Sequence, residues 1–186
     1  ISYVTDAKRY YFFVTEIKRD DIEELTIETS CKVPEEVLGQ FDLSEKQNGS
    51  VMAWYTDKDK DGLYEMTIGQ EGGVVANPNC CYLFCDLSQI NGMGNLYTSG
   101  VTDMSYMFLD YGANGKNNAL DLEDNFDTSN VTSMGNPYSY SYGGMFRNCK
   151  SLKKLNVSSF NTSKVKTMSN MFQGCSSLTT LDLSNF

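Results

Sequence analysis

Apolar positions in the C-terminal part of the chain recur with a fixed period of 26 residues. A segment that runs from Leu152 to Leu178 begins again at Leu178 and continues to the end of the chain. Equivalent apolar residues are therefore 26 positions apart: Leu155 and Leu181, Val157 and Leu183, Phe160 and Phe186. Such a period is typical of proteins in which each unit buries its apolar side against its neighbours. It predicts a solenoid and favours a binding surface over a catalytic cleft.

Earlier copies of the repeat are visible once insertions are allowed. Residues 120–134 match residues 155–168 with one extra residue before Phe126, and a degenerate first copy lies at 96–108. The predicted repeat region is therefore 80–186, with about three and a half units, the last of them incomplete. We accordingly expect the chain to be a fragment of a longer protein.

Each repeat contains two predicted elements. The first is a short strand in which Leu155 and Val157 face the core while Asn156 and Ser158 face solvent, because side chains alternate along a strand. The second is one or two helical turns, because apolar residues follow a potential N-cap threonine at helical spacing: Val165, Met168, Met171 and Phe172. This apolar face is expected to belong to the core.

The N-terminal region, residues 1–79, is predicted to be β-rich and to cap the repeats. Residues 9–17 and 22–28 are rich in β-branched and aromatic residues, as expected of strands. Residues 51–56 and 63–69 flank an acidic turn and are predicted to form a hairpin.

Acidic residues are concentrated in the N-terminal half. Residues 1–86 contain 17 acids and 8 bases, whereas residues 87–186 contain 7 of each. The sequence lacks the basic stripe that binding to a phosphate backbone requires, so we expect no nucleic-acid partner. It also lacks an apolar run of about 18 residues, so we expect no membrane insertion.

Histidine is absent from the chain. Its absence removes hydrolysis through an imidazole base and metal sites with histidine ligands. We therefore predict that the chain is not an enzyme and has no cofactor apart from the calcium considered below. A hydrolase that uses carboxylates of the N-terminal region is a less favoured alternative.

The repeat motif resembles that of a known family. It reads F-[DN]-T-S-x-V-x-x-M and then M-F-x-x-C-x-S-L, and the match covers about residues 82–186. The pattern is similar to the 26-residue repeat of bacterial surface proteins, in the BspA-like branch of leucine-rich repeats. The resemblance implies a lipoprotein or wall-anchored protein that lies outside the cell or on its surface. Such proteins are described as adhesins or as of unknown function, and no catalytic residue carries over.

The fold class predicted from the period and the resemblance is α/β. It is a right-handed, leucine-rich-repeat-like solenoid of short strands and short helical turns, preceded by the small β-rich capping region. The predicted function is non-catalytic binding at a bacterial cell surface, by adhesion or protein–protein recognition, with a host or bacterial surface protein as partner. The alternative is a structural spacer that presents another domain.

An eight-residue insertion within the repeats is the first candidate binding site. It contains Tyr138, Tyr140 and Tyr142, which alternate with serines between glycines. Tyrosine, serine and glycine are typical of loops that recognise proteins, because tyrosine offers a large amphipathic contact area at low entropic cost. The alternative is a loop folded back onto the repeats, with its tyrosines covering apolar surface.

Outward-facing polar residues of the predicted strands form a second candidate. They are expected to line one face of the repeats, where ligands bind in other repeat proteins: Asp121, Glu123, Asn156, Ser158, Asp182 and Ser184. A soluble sheet exposes similar residues without binding anything, and this interpretation is favoured for each of them taken singly.

The acidic turn between residues 56 and 64 begins like a calcium-binding loop. Its candidate ligands are three carboxylates, the carbonyl of one apolar residue and a further carboxylate: Asp57, Asp59, Asp61, Leu63 and Glu65. The bidentate glutamate expected at the twelfth position is replaced by Ile68. A solvated hairpin tip is therefore favoured over a metal site.

Two of the six cysteines, Cys149 and Cys175, occupy the same position in successive repeats. Neighbouring repeats lie about 4.8 Å apart when their strands pair, so a disulfide between these two residues is conceivable. Buried free thiols are the favoured interpretation.

Overall fold

The fold is described from a computed structural model for residues 17–113, 118–136 and 143–186. The described residues contain nine short strands: β1 (Ile22–Glu28), β2 (Gly39–Asp42), β3 (Met52–Thr56), β4 (Tyr64–Gly69), β5 (Val74–Val75), β6 (Ile90–Asn91), β7 (Leu96–Tyr97), β8 (Ala119–Leu120) and β9 (Lys154–Leu155). Two short 3-10 turns, Arg19–Asp21 and Met93–Asn95, accompany them.

The longer strands form one mixed sheet with the order β2-β3-β4-β1-β6. β2, β3 and β4 pair antiparallel, whereas β1 pairs parallel with both β4 and β6. A register shift between Ile22 and Glu24 brings both Ile22 and Leu25 into the core, although they are three positions apart. The strands predicted at 22–28, 51–56 and 63–69 are therefore confirmed.

The main hydrophobic core extends from this sheet into the repeats, and a second, small cluster contains Cys85, Tyr106 and Leu109. Arg19 is also buried and is 1 % exposed. Its Nη1 donates hydrogen bonds to the backbone oxygens of Leu83, at 2.9 Å, and Cys85, at 3.3 Å. The N-terminal sheet and the first repeat are thus joined by backbone pairing through β6 and by a buried guanidinium.

The repeats contact one another through turns. Along a turn, successive N–H groups donate alternately to an oxygen of the same turn and to an oxygen of the next repeat. In the turn that ends at Tyr111, the N–H groups of Met107 and Leu109 bond to oxygens of the same turn. The intervening N–H groups of Phe108 and Asp110 donate to Met145 and Arg147 of the following repeat, both at 2.9 Å. These two N–H groups therefore hold the next repeat in place.

Left-handed backbone conformations occur twice in each turn. In the last turn they fall at Asn170, with φ +58°, and Gly174, with φ +79°. Equivalent positions in the earlier turns are Tyr106 and Asp110, and Gly144 and Asn148. An α-helix requires negative φ throughout, so these positions exclude it.

The predicted fold class, an α/β right-handed leucine-rich-repeat-like solenoid of short strands and short helical turns, is wrong. The described residues contain no α-helix, and the segment with Val165 and Met168 forms successive tight turns. The strands of the repeats form two separate two-stranded sheets, β5–β7 and β8–β9, which are small and open. Elsewhere the described repeats pair through isolated bridges: Asn79 with Asp103, Asp103 with Ser133, and Ser133 with Thr167.

The strand segments are short because an Asx turn follows them. Asn156 Oδ1 accepts the Ser158 N–H at 3.0 Å, immediately after β9, and turns the chain away from strand geometry. Leu155 and Val157 are nevertheless buried, while Asn156 and Ser158 are exposed. The predicted inward and outward positions were right even though the strand ends at Leu155.

Phenylalanine rings form two columns through the repeats. In the first, the rings of Phe84, Phe108, Phe146 and Phe172 follow one another at 5.6, 5.4 and 5.7 Å between centroids. In the second, Phe126, Phe160 and Phe186 follow at 5.9 and 6.1 Å. The copies that begin at Leu120 and Leu155 therefore contribute one ring to each column.

Replacing Thr128 with valine lowers the free energy of unfolding by about 1–3 kcal/mol, because a backbone N–H loses its partner. The Thr128 hydroxyl, which is buried, accepts the Asn161 N–H at 2.8 Å and donates to the Asn161 oxygen at 3.2 Å. Urea unfolding measures the change. The control is Thr162→Val, whose hydroxyl reaches the Asn185 oxygen only at 3.5 Å; equal losses in both variants contradict the role of Thr128.

Candidate functional site

The pairing of the repeats is interrupted between β7 and β8, and a pocket lies at the interruption. β7 pairs with β5 and β8 with β9, but β7 and β8 do not pair with each other. Side chains join the two sides instead: the Asn125 amide donates to the Gly94 oxygen, and the Thr98 hydroxyl donates to the Asp127 oxygen at 2.8 Å. The extra residue before Phe126 falls at this place.

The pocket is open to solvent and has a volume of about 450 Å³. Its lining is mostly polar and consists of Gly94, Asn95, Asp121, Glu123, Asp124 and Asn125. The Asn95 side chain donates to the Ile27 oxygen at 2.8 Å, so a hydrogen bond connects the pocket to the C-terminal end of β1. The pocket is thus built on the junction between the N-terminal sheet and the repeats.

Glu123 has an unusual backbone conformation for its residue type. Its φ is +53°, and its N–H donates to Asp121 Oδ1 at 3.1 Å. A Cβ atom at Gly94 would lie 2.5 Å from Glu123 Oε2, so the carboxylate lies directly over Gly94. The turn fixes the backbone from which the Glu123 side chain extends.

The charge of the pocket is negative. Asp121, Glu123 and Asp124 are exposed carboxylates, and no basic residue is part of the lining. Carboxylates that share a concave surface concentrate a negative potential, which attracts cationic groups. The arrangement therefore suits a lysine or arginine side chain of a partner.

A basic band follows the acidic pocket along the chain. Residues 147–166 contain six bases and no acid: Arg147, Lys150, Lys153, Lys154, Lys164 and Lys166. Lys154 in β9 is paired with Ala119 in β8, two residues before Asp121. The surface of the repeats thus changes from acidic to basic between one repeat and the next.

The predicted polar face is brought together only in part. Asp121 and Glu123 line the pocket, whereas Asn156, Ser158 and Asp182 are exposed and lie outside the lining. Their side chains have a local role, since Asn156 and Asp182 each accept the N–H two residues further on. Hydrogen bonds from Ser184, first from its backbone and then from its hydroxyl, lower the pKa of Asp182.

Sequence reasoning missed four lining residues: Gly94, Asn95, Asp124 and Asn125. No signal in the repeat motif identifies them, because the pocket forms where β7 and β8 fail to pair. Asn125 and Asn185 both precede the phenylalanine of their repeat, and each donates its amide to a backbone oxygen of the preceding repeat, Gly94 and Ser158.

The acidic hairpin tip brings three of its predicted ligands together. Carboxylate oxygens of Asp57, Asp59 and Asp61 lie within 4.8 Å of one another. Asp57 accepts the N–H groups of Asp61, at 3.1 Å, and Gly62, at 3.2 Å. These bonds hold the turn in shape without an ion.

The other two predicted calcium ligands have different roles. Glu65 Oε2 accepts the Thr56 hydroxyl at 2.9 Å and the Lys58 N–H at 3.3 Å, so this carboxylate closes the base of the hairpin. The Leu63 N–H donates to Asp61 Oδ1 at 2.8 Å. Calcium binding by this loop stays a prediction.

Tyr138, Tyr140 and Tyr142 lie outside the described residues. The ends of their insertion are held close together, because the Met145 N–H donates to the Met134 oxygen at 2.9 Å. The Asn136 amide donates to the Tyr106 hydroxyl at 2.8 Å, and burial raises the pKa of that phenol. The insertion therefore leaves and re-enters the repeats at one place.

Comparison with protein families gives one match. Residues 79–186 match a family described as Mycoplasma protein of unknown function, DUF285. The chain belongs to this family. The DUF285 match begins at the first bridge of the repeats, Asn79, and continues to the last residue. No curated protein and no solved structure matches the chain.

No helix among the described residues is long and apolar enough to span a membrane.

Proposed function

We propose that the chain is a non-catalytic binding module of a bacterial cell surface, and that it recognises a protein partner through the acidic pocket. The observation that carries this proposal is the pocket of about 450 Å³ at the interruption of the repeats, with Asp121 and Glu123 in its lining. The partner is a host or bacterial surface protein with a basic side chain that enters the pocket. The extracellular location rests on the resemblance of the motif to bacterial surface repeats.

The chemistry of the pocket supports recognition. Its polar groups are fixed by neighbouring backbone, as the bond from Glu123 N–H to Asp121 and that from Asn95 to Ile27 show. Groups held in place before binding lose little conformational freedom when a partner arrives. The basic band at 147–166 offers a second contact for acidic groups that surround the inserted side chain.

The tyrosine insertion remains a second candidate contact of the same module. Its closed base at Met134 and Met145 is the arrangement expected of a loop presented by a stable scaffold. A spacer requires neither the pocket nor the insertion, so the spacer alternative predicts no specific partner.

The test is binding of purified host matrix proteins, such as collagen and fibronectin, to the immobilised chain. We expect saturable binding that weakens as salt increases. Replacing Asp121 and Asp124 with asparagine and Glu123 with glutamine raises the Kd about tenfold or more, because the pocket loses its charge but keeps its shape. Asparagine retains the oxygen that accepts the Glu123 N–H.

A matched control removes the same number of charges elsewhere. The variant with Asp57, Asp59 and Asp61 replaced by asparagine has the same net charge as the pocket variant. We expect its Kd to stay within about twofold of the unmodified chain. Equal weakening by both variants means that binding depends on total charge, and absence of any partner supports the spacer.

A further inference from the structure

Two thiols from successive repeats approach each other in the core. Cys149 is fully buried, Cys175 is half-buried, and both are free. The turns that carry them lie side by side, since the Phe146 N–H donates to the Met171 oxygen at 3.0 Å and the Asn148 N–H to the Gln173 oxygen at 2.7 Å. The Phe146 oxygen joins them as well, since it accepts the Cys149 N–H at 3.3 Å and the Cys175 thiol at 3.0 Å.

We propose that Cys149 and Cys175 form a reversible disulfide that links the last two repeats. The chain has a place for this bond, because the turns that carry Cys149 and Cys175 are hydrogen-bonded side by side. Parallel neighbours lie about 4.8 Å apart, and disulfides join Cα atoms about 4.4–6.8 Å apart. The bond therefore fits between the repeats without separating them.

Formation of the bond leaves the backbone satisfied. In the free form, the Cys149 thiol donates to the Phe108 oxygen at 3.1 Å and the Cys175 thiol to the Phe146 oxygen. Each of these oxygens also accepts a backbone N–H, from Tyr111 at 3.1 Å and from Cys149. Loss of the two thiol protons thus leaves no buried oxygen without a donor.

The two thiols differ in pKa and in exposure, as thiol–disulfide exchange in two steps requires. When Cys175 is a thiolate, Cys149 donates its proton to it and no longer to the Phe108 oxygen. That bond lowers the pKa of Cys175, whereas the bond and burial raise the pKa of Cys149. Cys175 is also the more exposed of the two. It is therefore the residue that meets an oxidant first, because the thiolate is the reactive form.

The oxidant is an organic disulfide. The Cys175 thiolate attacks one sulfur of that disulfide, forms a mixed disulfide and releases one thiolate. Cys149 then loses its proton to that thiolate and attacks the Cys175 sulfur, which releases the second thiolate to be protonated by solvent. Two protein thiols become one disulfide, and the organic disulfide becomes two thiols.

The test exposes the folded full chain to oxidised glutathione, followed by alkylation of remaining thiols under denaturing conditions and tryptic mapping. Trypsin cleaves after Arg147, Lys150 and Lys166, so the two cysteines fall on different peptides. We expect a linked pair of peptides that contain Cys149 and Cys175, and its disappearance after treatment with dithiothreitol.

The melting temperature of the oxidised chain and the products formed by one variant, Cys149→Ser, test the proposal further. The oxidised chain melts about 5–15 °C above the reduced chain, because the bond closes a long loop in the unfolded state. In Cys149→Ser, a mixed disulfide with glutathione accumulates at Cys175. The proposal is overturned when Cys149 and Cys175 remain fully alkylated in the mapped wild-type chain, or when oxidation is confined to Cys31, Cys80, Cys81 and Cys85.

Discussion

Replacing Phe108 with alanine lowers the free energy of unfolding by about 3–5 kcal/mol, as expected for loss of a fully buried aromatic side chain. The Phe108 ring is stacked on Phe146 at 5.4 Å and lies 5.6 Å from Phe84. It also contacts the second column through Phe126 at 6.1 Å. Removing it leaves a cavity that rings of both columns border.

Urea unfolding of Phe108→Ala and of Phe186→Ala gives the comparison. Phe186 belongs to the second column but is 38 % exposed. We expect its replacement to cost about 1 kcal/mol or less, since little apolar surface leaves the core. If the two variants lose the same stability, the columns do not hold the repeats together.

Replacing Gly144 with alanine lowers the free energy of unfolding by about 2–5 kcal/mol, from backbone strain and from a steric conflict together. Gly144 has φ +119°, and a Cβ atom there would lie 2.2 Å from the Asn170 oxygen. That oxygen belongs to the backbone of the next repeat, so relief requires the two repeats to move apart.

Gly62→Ala is the matched control for this prediction. Gly62 also has a positive φ, +88°, but no atom lies within 4 Å of the added Cβ. We expect a loss of about 1–2 kcal/mol from conformation alone. Equal losses at Gly62 and Gly144, measured by thermal or urea unfolding, would show that the repeats are not packed as closely as Gly144 indicates.

The sequence was sufficient for the core positions of the repeats and for three N-terminal strands, whereas β2 was not predicted and the strand predicted at 9–17 lies outside the described residues except for Ile17. The period of 26 residues identifies Leu155, Val157 and Phe160 as buried, because burial depends on position in the repeat and not on the type of element. β1, β3 and β4 follow from runs of β-branched and aromatic residues with turn residues between them. These signals are local, and local signals are readable in a single sequence.

The helical turns were predicted wrongly because two explanations fit the same apolar spacing. Met168 and Met171 stand three positions apart, as on a helix, but also as in successive tight turns. Asn170 and Gly174 decide between them, since asparagine and glycine are the residues that most readily adopt positive φ. The spacing of four residues between these two positions was the signal that the prediction of helical turns did not use.

The pocket could not be predicted because it depends on a mismatch between repeats. Asp121 and Glu123 were identified as candidates from an outward-facing pattern, yet Gly94 and Asn95 come from a segment 26 or more positions earlier. Only the three-dimensional arrangement shows that β7 and β8 do not pair and that the segment before Phe126 lies against Gly94. The site therefore lies where the repeat is least regular.

Amide chemical-shift mapping tests the proposed recognition most directly. The ¹⁵N-labelled chain is titrated with the matrix protein, or a fragment of it, that binds in the screen. We predict that the largest shifts fall on Gly94, Asn95, Glu123 and Asp124, with smaller shifts near Lys154. Shifts confined to the hairpin tip at 57–62, or spread evenly over the exposed residues, would contradict recognition through the pocket.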